Sequence, residues 1–136
     1  MTDIQAALAA AASGMRAQTA RMRIAAENMA NANSTGDRPG DVPFRRRIPL
    51  LESTTLASGA QGVKVMGAGN DMSAFRREYN PSHPAAGADG YVQMPNVDPL
   101  VEMMDLRDAS RAYEANLNMI EAARSMTSRT LDLLRR

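Results

Sequence analysis

Apolar residues recur at alternating intervals of four and three positions near the start of the chain. The series begins at Ile4 and ends at Met29. This spacing places apolar side chains along one stripe of a helix. Residues that are common at helix ends follow directly, namely Asn31, Asn33, Ser34 and Gly36. The pattern therefore predicts an N-terminal helix of about 30 residues.

A second apolar series follows a clear helix start near the end of the chain. Asp98 is a typical N-cap residue, and Pro99 suits the first helical position, where an amide would have no partner. Acidic residues come early in this stretch and arginines come late, as the helix dipole favours. The pattern predicts a C-terminal helix of about 38 residues.

The residues between the two helices lack a helical repeat. Residues 41–57 are typical of extended chain, interrupted by Pro43 and Pro49. Gly62–Met66 alternates as a short strand, which we expect to pair with Phe75–Tyr79. A proline-rich stretch then leads into the second helix.

These patterns predict a mainly α-helical protein with a small β region. Its long N-terminal and C-terminal helices are expected to pack as a coiled-coil-like pair. Residues 1–35 form the N-terminal helix, residues 36–96 form an irregular or β-hairpin middle segment with a proline-rich loop, and residues 97–136 form the C-terminal helix.

Alanine and methionine dominate the apolar composition. They supply 35 of the 60 apolar residues, whereas Leu, Ile, Val and Phe together number 22, which is few for a self-sufficient core. Two long helices without a third or fourth leave apolar surface uncovered. We therefore expect an oligomer or polymer. The residues expected to contact neighbouring subunits are Ile4, Leu8, Met15, Met22, Met29, Met103, Leu106, Tyr113, Leu117, Ile120, Leu131 and Leu134.

Residue types that support catalysis or metal binding are scarce. The chain has no cysteine, and His83 is its only histidine, so a zinc-type site lacks ligands. We interpret His83 as a loop-packing residue. The alternative, a hydrolase pair of His83 with Ser82 or Ser110, has no nucleophile-elbow pattern around either serine. The sequence predicts no catalytic residue, metal, cofactor or small-molecule substrate.

The charges are nearly balanced, with a net charge of +1, and the cations are fifteen arginines and one lysine. Such a balance gives no bulk attraction to nucleic acid, and five aromatic residues are few for base stacking. We expect no nucleic-acid partner. The compact cluster Arg45–Arg47 is interpreted as part of a solvated loop, with binding of a phosphate or an acidic neighbour as the alternative.

Several motifs occur in order along the chain. AAENMANANST ends the first helical pattern, and Tyr-x-Pro-x-His-Pro, Gly-Tyr-Val, Pro-Asn-Val, Glu-Met and Ser-Arg-x-Tyr-x-x-Asn follow between residues 79 and 116. The first motif resembles that of the rod and hook proteins of the bacterial flagellum, and the later motifs resemble those of subunits of the proximal rod. The motif residues are Asn28, Asn31, Asn33, Tyr79, Pro81, His83, Pro84, Gly90, Tyr91, Pro95, Asn96, Val97, Glu102, Met103, Ser110, Arg111, Tyr113 and Asn116.

The resemblance is weakest over residues 36–74. In addition, STGDRPGD stands where many rod and hook proteins continue with Thr-x-Gly-Tyr. This departure leaves open where the first helix ends and how the next segment leaves it. It does not affect the motifs of the C-terminal half.

The resemblance implies a structural subunit of the proximal rod in the periplasm, polymerised into a hollow, torque-transmitting shaft whose inner layer is formed by the terminal helices. The implied partners are copies of this chain, other proximal and distal rod subunits, the adaptor between the rod and the membrane ring, and the flagellar type III export apparatus. Export is expected without a cleaved signal peptide. The first charged residue is Asp3 and the first cation is Arg16, unlike the basic start of a secretory signal. The residues alone leave an alternative, a cytosolic helical adaptor or chaperone that binds partner helices.

Overall fold

The chain folds into two long helices with two small hairpins between them in sequence. A computed structural model describes residues 2–136, so Met1, within the predicted N-terminal segment, lies outside the described residues. The helices are α1 (Thr2–Ala30) and α2 (Pro99–Leu134), and they pack against each other. The strands are β1 (Arg47–Thr55), β2 (Gln61–Asn70), β3 (Arg76–Tyr79) and β4 (Tyr91–Met94). The predicted fold class is confirmed.

Local sequence signals set the ends of both helices. The Asp98 carboxylate accepts a hydrogen bond of 3.0 Å from the Leu100 amide, and Pro99 occupies the first turn of α2. At the end of α1, the Asn31 side chain folds back and donates a hydrogen bond of 2.9 Å to the Glu27 carbonyl oxygen. With 29 and 36 residues, α1 and α2 are close to their predicted lengths.

The strands form two separate antiparallel hairpins, β1–β2 and β3–β4. The expected pairing of Gly62–Met66 with Phe75–Tyr79 is wrong, because β2 pairs with β1 and β3 pairs with β4. The cause is a tight turn, in which the Leu56 amide donates to the Ala60 carbonyl oxygen at 2.8 Å and Gly59 has φ of +80°. This turn brings β1 against β2 before the chain reaches β3.

Pro49 lies inside β1 and does not interrupt it as expected, since it is paired with Ala68 of β2. Each strand of a two-stranded sheet has one unpaired edge, where the missing proline amide breaks no ladder hydrogen bond. The register shifts between Leu50 and Leu51, and Gly67 on the partner strand has φ of +106°. This bulge bends the hairpin.

Small residues let α1 approach both α2 and the first hairpin. A Cβ atom on Gly14 of α1 would lie 2.8 Å from Nδ2 of Asn116 on α2. A Cβ atom on Gly62 of β2 would lie 2.8 Å from the Ser13 hydroxyl, which also accepts a hydrogen bond of 3.1 Å from the Val63 amide. Larger side chains at these glycines would push the elements apart.

The core between these elements is shallow. Its buried apolar residues in the helices are mostly alanines: Ala11, Ala17, Ala20, Ile24, Ala25, Ala109 and Ala123. Three polar residues are buried as deeply, namely Ser13, Asn28 and Glu102. Within residues 2–136, neither helix combines the length and the apolar character needed to span a bilayer.

Candidate functional site

A cluster of polar side chains joins the end of α1, the chain entering β1 and the start of α2. We call it the helix junction and define it as Asn28, Arg46, Asp71, Asn96, Glu102 and Asp105. It lies where α1 ends and α2 begins, so it connects the helix pair with the middle segment.

Asn28 attaches the first residue of β1 to α1. Its Nδ2 donates a hydrogen bond of 2.8 Å to the Arg47 carbonyl oxygen, and its Oδ1 accepts one of 2.9 Å from the Arg47 amide. The side chain is fully buried, with 0% of its surface exposed. The carboxamide therefore satisfies both backbone groups of Arg47, as a neighbouring strand would.

Glu102 brings α2 into the same cluster. Only 1% of its surface is exposed, and its two carboxylate oxygens accept hydrogen bonds from different segments. Oε1 accepts from Nε of Arg46, and Oε2 accepts from Nδ2 of Asn28 at 3.2 Å. Burying a carboxylate is costly unless a cation and hydrogen-bond donors compensate, and this geometry supplies both.

Arg46 is the cation at the centre of the junction. Its guanidinium also donates to carboxylate oxygens of Asp71 at 3.3 Å and Asp105 at 3.4 Å, and its backbone amide donates to Oδ1 of Asn96 at 2.7 Å. Burial lowers the pKa of Arg46, but the hydrogen bonds and charges of Glu102 and Asp71 outweigh it and raise the pKa above its ordinary value. Arg46 therefore stays charged over the whole pH range in which the protein is folded.

Asp71 holds the chain after β2 against this cation. The Ser73 amide donates a hydrogen bond of 2.9 Å to Oδ1 of Asp71. Hydrogen bonds from Ser73, followed by the hydrogen bond and charge of Arg46, lower the pKa of Asp71 below its ordinary value. Asn96 reaches the same segment, because its Nδ2 donates 2.9 Å to the Asp71 carbonyl oxygen.

Arg45 and Arg47, on either side of Arg46, also contact other residues of the chain. Arg47 donates a hydrogen bond of 2.9 Å to Oε1 of Glu27 on α1. The Arg45 guanidinium lies 4.2 Å from the centre of the Phe75 ring, a cation–π contact. The interpretation of Arg45–Arg47 as a solvated loop is therefore wrong, because each guanidinium has a partner in the fold.

The chemistry of the helix junction is mutual hydrogen bonding and charge compensation. Every buried side-chain nitrogen or oxygen in the described part of the chain has a hydrogen-bond partner. No group of three or more acidic or histidine side chains among residues 2–136 is arranged to hold a metal ion. The arrangement therefore acts as a joint that holds three segments together.

The proline-rich loop between β3 and β4, residues 80–90, closes on itself through glycine and tyrosine contacts. The Asn80 amide donates 2.9 Å to the Gly90 carbonyl oxygen, and Gly90 has φ of +81°. A Cβ atom on Gly90 would lie 2.7 Å from the Tyr79 ring. The rings of Tyr79 and Tyr91 meet edge to face with centroids 5.3 Å apart. Glycine is needed here for both its conformation and its size.

His83 connects this loop to the segment that follows α1. Its Nδ1 accepts a hydrogen bond of 3.0 Å from the Ala85 amide, and its Nε2 lies 3.3 Å from the Thr35 hydroxyl. Because Nδ1 accepts, Nε2 of the neutral ring carries the proton and donates to Thr35. The interpretation of His83 as a loop-packing residue is confirmed.

The structure brings together motif residues that are far apart in sequence. Asn28, Asn96 and Glu102 come from three different motifs and meet in the helix junction. Pro81, His83 and Gly90 belong to the proline-rich loop, and Tyr79 and Tyr91 flank it at the end of β3 and the start of β4. Pro95 and Val97 are buried between β4 and α2, and Ser110, Tyr113 and Asn116 are half-buried on α2. Asn31 is half-buried after α1, and seven motif residues are exposed: Asn33, Tyr79, Pro81, Pro84, Tyr91, Met103 and Arg111.

The residues expected to contact neighbouring subunits divide into two groups. Those that are half-buried within the chain are Ile4, Leu8, Met15, Met22, Met29, Leu106, Tyr113 and Ile120. Those that are exposed are Met103, Leu117, Leu131 and Leu134. Met15, Tyr113 and Ile120 line an open, mainly apolar groove of 440 Å³ between α1 and α2. Contact of these residues with other subunits stays a prediction.

Comparison with known proteins matches the chain over nearly its full length. It is 46% identical over 136 residues to the flagellar basal-body rod protein FlgC of Agrobacterium fabrum, which covers 99% of this chain and 98% of that protein. It is 38% identical to the protein of the same name from Bacillus subtilis, covering 90% and 92%, and 36% identical to that of Aquifex aeolicus, covering 97% and 98%. Residues 88–133 match the model of the C-terminal region of the flagellar basal body rod FlgEFG proteins.

Proposed function

Because this chain belongs to the FlgC family of flagellar basal-body rod proteins, we propose that it polymerises through its terminal helices in the proximal rod. It is a structural subunit of the flagellar basal-body rod and not an enzyme, and it assembles with other rod components. The proposal adds the position within the rod and the surfaces used.

The observation that carries the proposal is the apolar surface of α2 outside the helix pair. Met119, Met126 and Leu133 recur every seven residues along α2 and remain exposed. Two further apolar residues near the end of the helix, Leu131 and Leu134, are 56% and 78% exposed. Apolar surface of this extent, arranged along a helix, is typical of a contact with another protein. Helices of neighbouring subunits suit it because they present matching heptad spacing.

The helix junction supports a mechanical role for the subunit. A rod transmits torque only if the middle segment of each subunit stays fixed to its helices when load is applied. Arg46 and Asn28 provide such a connection through hydrogen bonds to three segments remote in sequence. In the proposed rod, the terminal helices form the inner layer around a channel and the two hairpins lie outside them.

Membership of this family supports the proposed location and partners. The subunit reaches the periplasm through the flagellar type III export apparatus, binds proximal and distal rod subunits, and meets the adaptor that joins the rod to the membrane ring. The side chains available for these contacts are the exposed Met and Leu residues of α2 and exposed arginines such as Arg124 and Arg129.

Electron microscopy of cell envelopes from a strain that lacks the chain tests the proposed position. We expect membrane rings with no rod or hook attached, and complete flagella once the chain is supplied from a plasmid. A rod stub that stops partway to the outer surface would assign the subunit to the distal rod instead. Complete flagella in the strain that lacks the chain would contradict any essential place in the shaft.

A further inference from the structure

The seam between α1 and α2 sets mainly small residues of α1 against a stripe of α2 that repeats every seven residues, and this pattern does not by itself define one register. On α2 the stripe of buried and half-buried residues follows four-three spacing: Glu102, Leu106, Ala109, Tyr113, Asn116, Ile120, Ala123 and Thr127. On α1 the deeply buried positions are mainly alanines. Leu106, Tyr113 and Ile120 recur every seven residues, so a shift of seven residues places one large apolar side chain where another lay, and apolar packing only weakly disfavours the displaced pairing.

Two contacts across the seam mark the observed register. Asn28 meets Glu102, and Gly14 meets Asn116. Gly14 and Asn28 are fourteen residues apart on α1, and Asn116 and Glu102 are fourteen residues apart on α2, so both contacts belong to the same antiparallel pairing. The contacts differ in kind. A glycine accepts many opposing side chains, whereas a buried carboxylate requires donors.

We propose that Glu102 is the register-determining residue of the helix pair, and that it selects the observed pairing over pairings displaced by seven residues. It acts through Asn28 on α1 and through Arg46, which Asn28 holds in place by its hydrogen bonds to the backbone of Arg47. A shift of α2 in one direction would put Ala109 beside Asn28, and a shift in the other direction would move Glu102 further along α1. Both shifts separate Glu102 from Asn28 and Arg46. This inference concerns the chain itself and does not depend on its position in the rod.

The physical basis is the asymmetry between paired and unpaired buried charge. The observed register compensates Glu102 with one cation and one amide, and it gives the Asn28 carboxamide three hydrogen bonds. Every displaced register leaves the carboxylate, the guanidinium or the carboxamide without these partners. Buried polar groups select a single pairing in this way where apolar packing alone permits several.

Distances between spin labels on the two helices measure the register directly. The chain has no cysteine, so Arg23→Cys on α1 and Arg129→Cys on α2 introduce the only two labelling sites, both at exposed positions. In the observed register the labels lie roughly 33 Å apart along the helix axis, and a shift of seven residues changes this by about 10.5 Å. Double electron–electron resonance resolves such a change.

We expect one narrow distance distribution in the otherwise unchanged full chain. Glu102→Leu should add a second population displaced by about 10.5 Å, and Asn28→Leu should do the same because it removes the partner on α1. Glu102→Gln keeps one acceptor oxygen, so its second population should be smaller. The double variant Arg46→Leu/Glu102→Leu leaves neither charge unpaired, so it should be more stable than Glu102→Leu. It should still show two distance populations.

Val92→Ala is the matched control, because Val92 is buried to the same extent as Glu102 but lies in β4, outside the junction. It should lower the unfolding midpoint and leave the distance unchanged. A single unchanged distance in both Glu102→Leu and Asn28→Leu would overturn the proposal, even if both chains were less stable. A broad distribution in the parent would also overturn it. Complete loss of helix in Glu102→Leu would contradict it too, since no displaced pairing would then exist.

Discussion

Gly14 of α1 lies directly against Asn116 of α2, so close that a Cβ atom on Gly14 would stand 2.8 Å from the Asn116 Nδ2 atom. Glycine inside a helix is unfavourable by itself, since it gives the unfolded chain more freedom. Its presence in the middle of a long helix therefore indicates a packing requirement. The requirement here is space for the Asn116 side chain against the backbone of α1.

Replacing Gly14 by valine should lower the free energy of unfolding by about 1–3 kcal/mol, because the branched side chain forces the helices apart. Gly14→Ala should be nearly neutral, since about 1 kcal/mol gained in helix propensity offsets a small displacement of the Asn116 side chain. Urea unfolding followed by circular dichroism measures both. Ala26→Val, at an exposed position of α1, is the control for propensity alone. If Gly14→Val is less stable than Gly14→Ala by no more than Ala26→Val is less stable than the parent, the packing explanation is contradicted.

The helices could be predicted from sequence because their signals are local. Asp98 and Pro99 define one start, and four-three spacing defines two apolar stripes within a few turns of chain. Strand pairing was predicted wrongly because it depends on which segments the tight turns bring together. The turn around Gly59 pairs β1 with β2, and neither strand alone shows that preference.

The helix junction could be predicted only in part. Asn28, Asn96 and Glu102 belong to recognisable motifs, but no spacing rule places them together. Arg46 lies 56 residues from Glu102, and Asn28 lies 74 residues from it, so the contacts depend on the complete fold. Arg46 also stands within a run of three arginines, which is typical of an exposed loop. The one available signal was Glu102, an acidic residue on the stripe of α2 that faces α1, because a carboxylate buried there requires a cation nearby.

Asn28→Ala should lower the free energy of unfolding by about 2–4 kcal/mol, because both backbone groups of Arg47 lose their partner and the buried carboxylate of Glu102 loses a donor. Asn28→Asp should be more harmful, since it keeps one acceptor but places a second carboxylate beside Glu102. Thermal and urea unfolding measure the loss, and amide hydrogen exchange at Arg47 reports its cause. Asn33→Ala, at an exposed position, is the matched control and should be neutral. Unchanged protection of the Arg47 amide in Asn28→Ala would contradict the assigned role.

Low pH should weaken the helix junction because it protonates Asp71. Its pKa is lowered from the ordinary 3.8, first by hydrogen bonds from Ser73 and then by Arg46. A carboxyl group with a lowered folded pKa stabilises the fold fully above its unfolded pKa. That contribution is lost as the pH falls from 3.8 through the lower folded value. Asp71→Asn should therefore be less stable than the parent at neutral pH, and the difference should shrink in acid.

Unfolding free energies measured from about pH 6 to about pH 2 test this dependence. The exposed residue Asp37 provides the control, because Asp37→Asn removes a carboxylate that lies in the bend after α1 and is not part of the helix junction. The free energy of unfolding of Asp37→Asn should differ from that of the parent by the same amount at every pH in this range. A constant difference between Asp71→Asn and the parent at every pH would show that the Asp71 charge does not stabilise the fold.

Leu117→Asp should prevent incorporation into the rod while leaving the isolated chain folded. Leu117 is 37% exposed in the single chain, so a charge there keeps much of its contact with water. In the proposed assembly the same position is covered by a neighbouring helix, where an unpaired charge costs several kcal/mol. Met22→Asp should have the same effect on assembly, but it should also destabilise the single chain because Met22 is half-buried. Asn118→Asp adds the same charge one residue away at an exposed position.

Motility and electron microscopy of basal bodies report incorporation, and circular dichroism of the purified chain reports folding. We expect flagella with Asn118→Asp and none with Leu117→Asp, although both purified chains should melt within a few degrees of the parent. This combination separates a lost subunit contact from a lost fold. Normal flagella with Leu117→Asp would remove this face of α2 from the proposed interface. Failure of Asn118→Asp as well would mean that the interface extends to the neighbouring face of the helix.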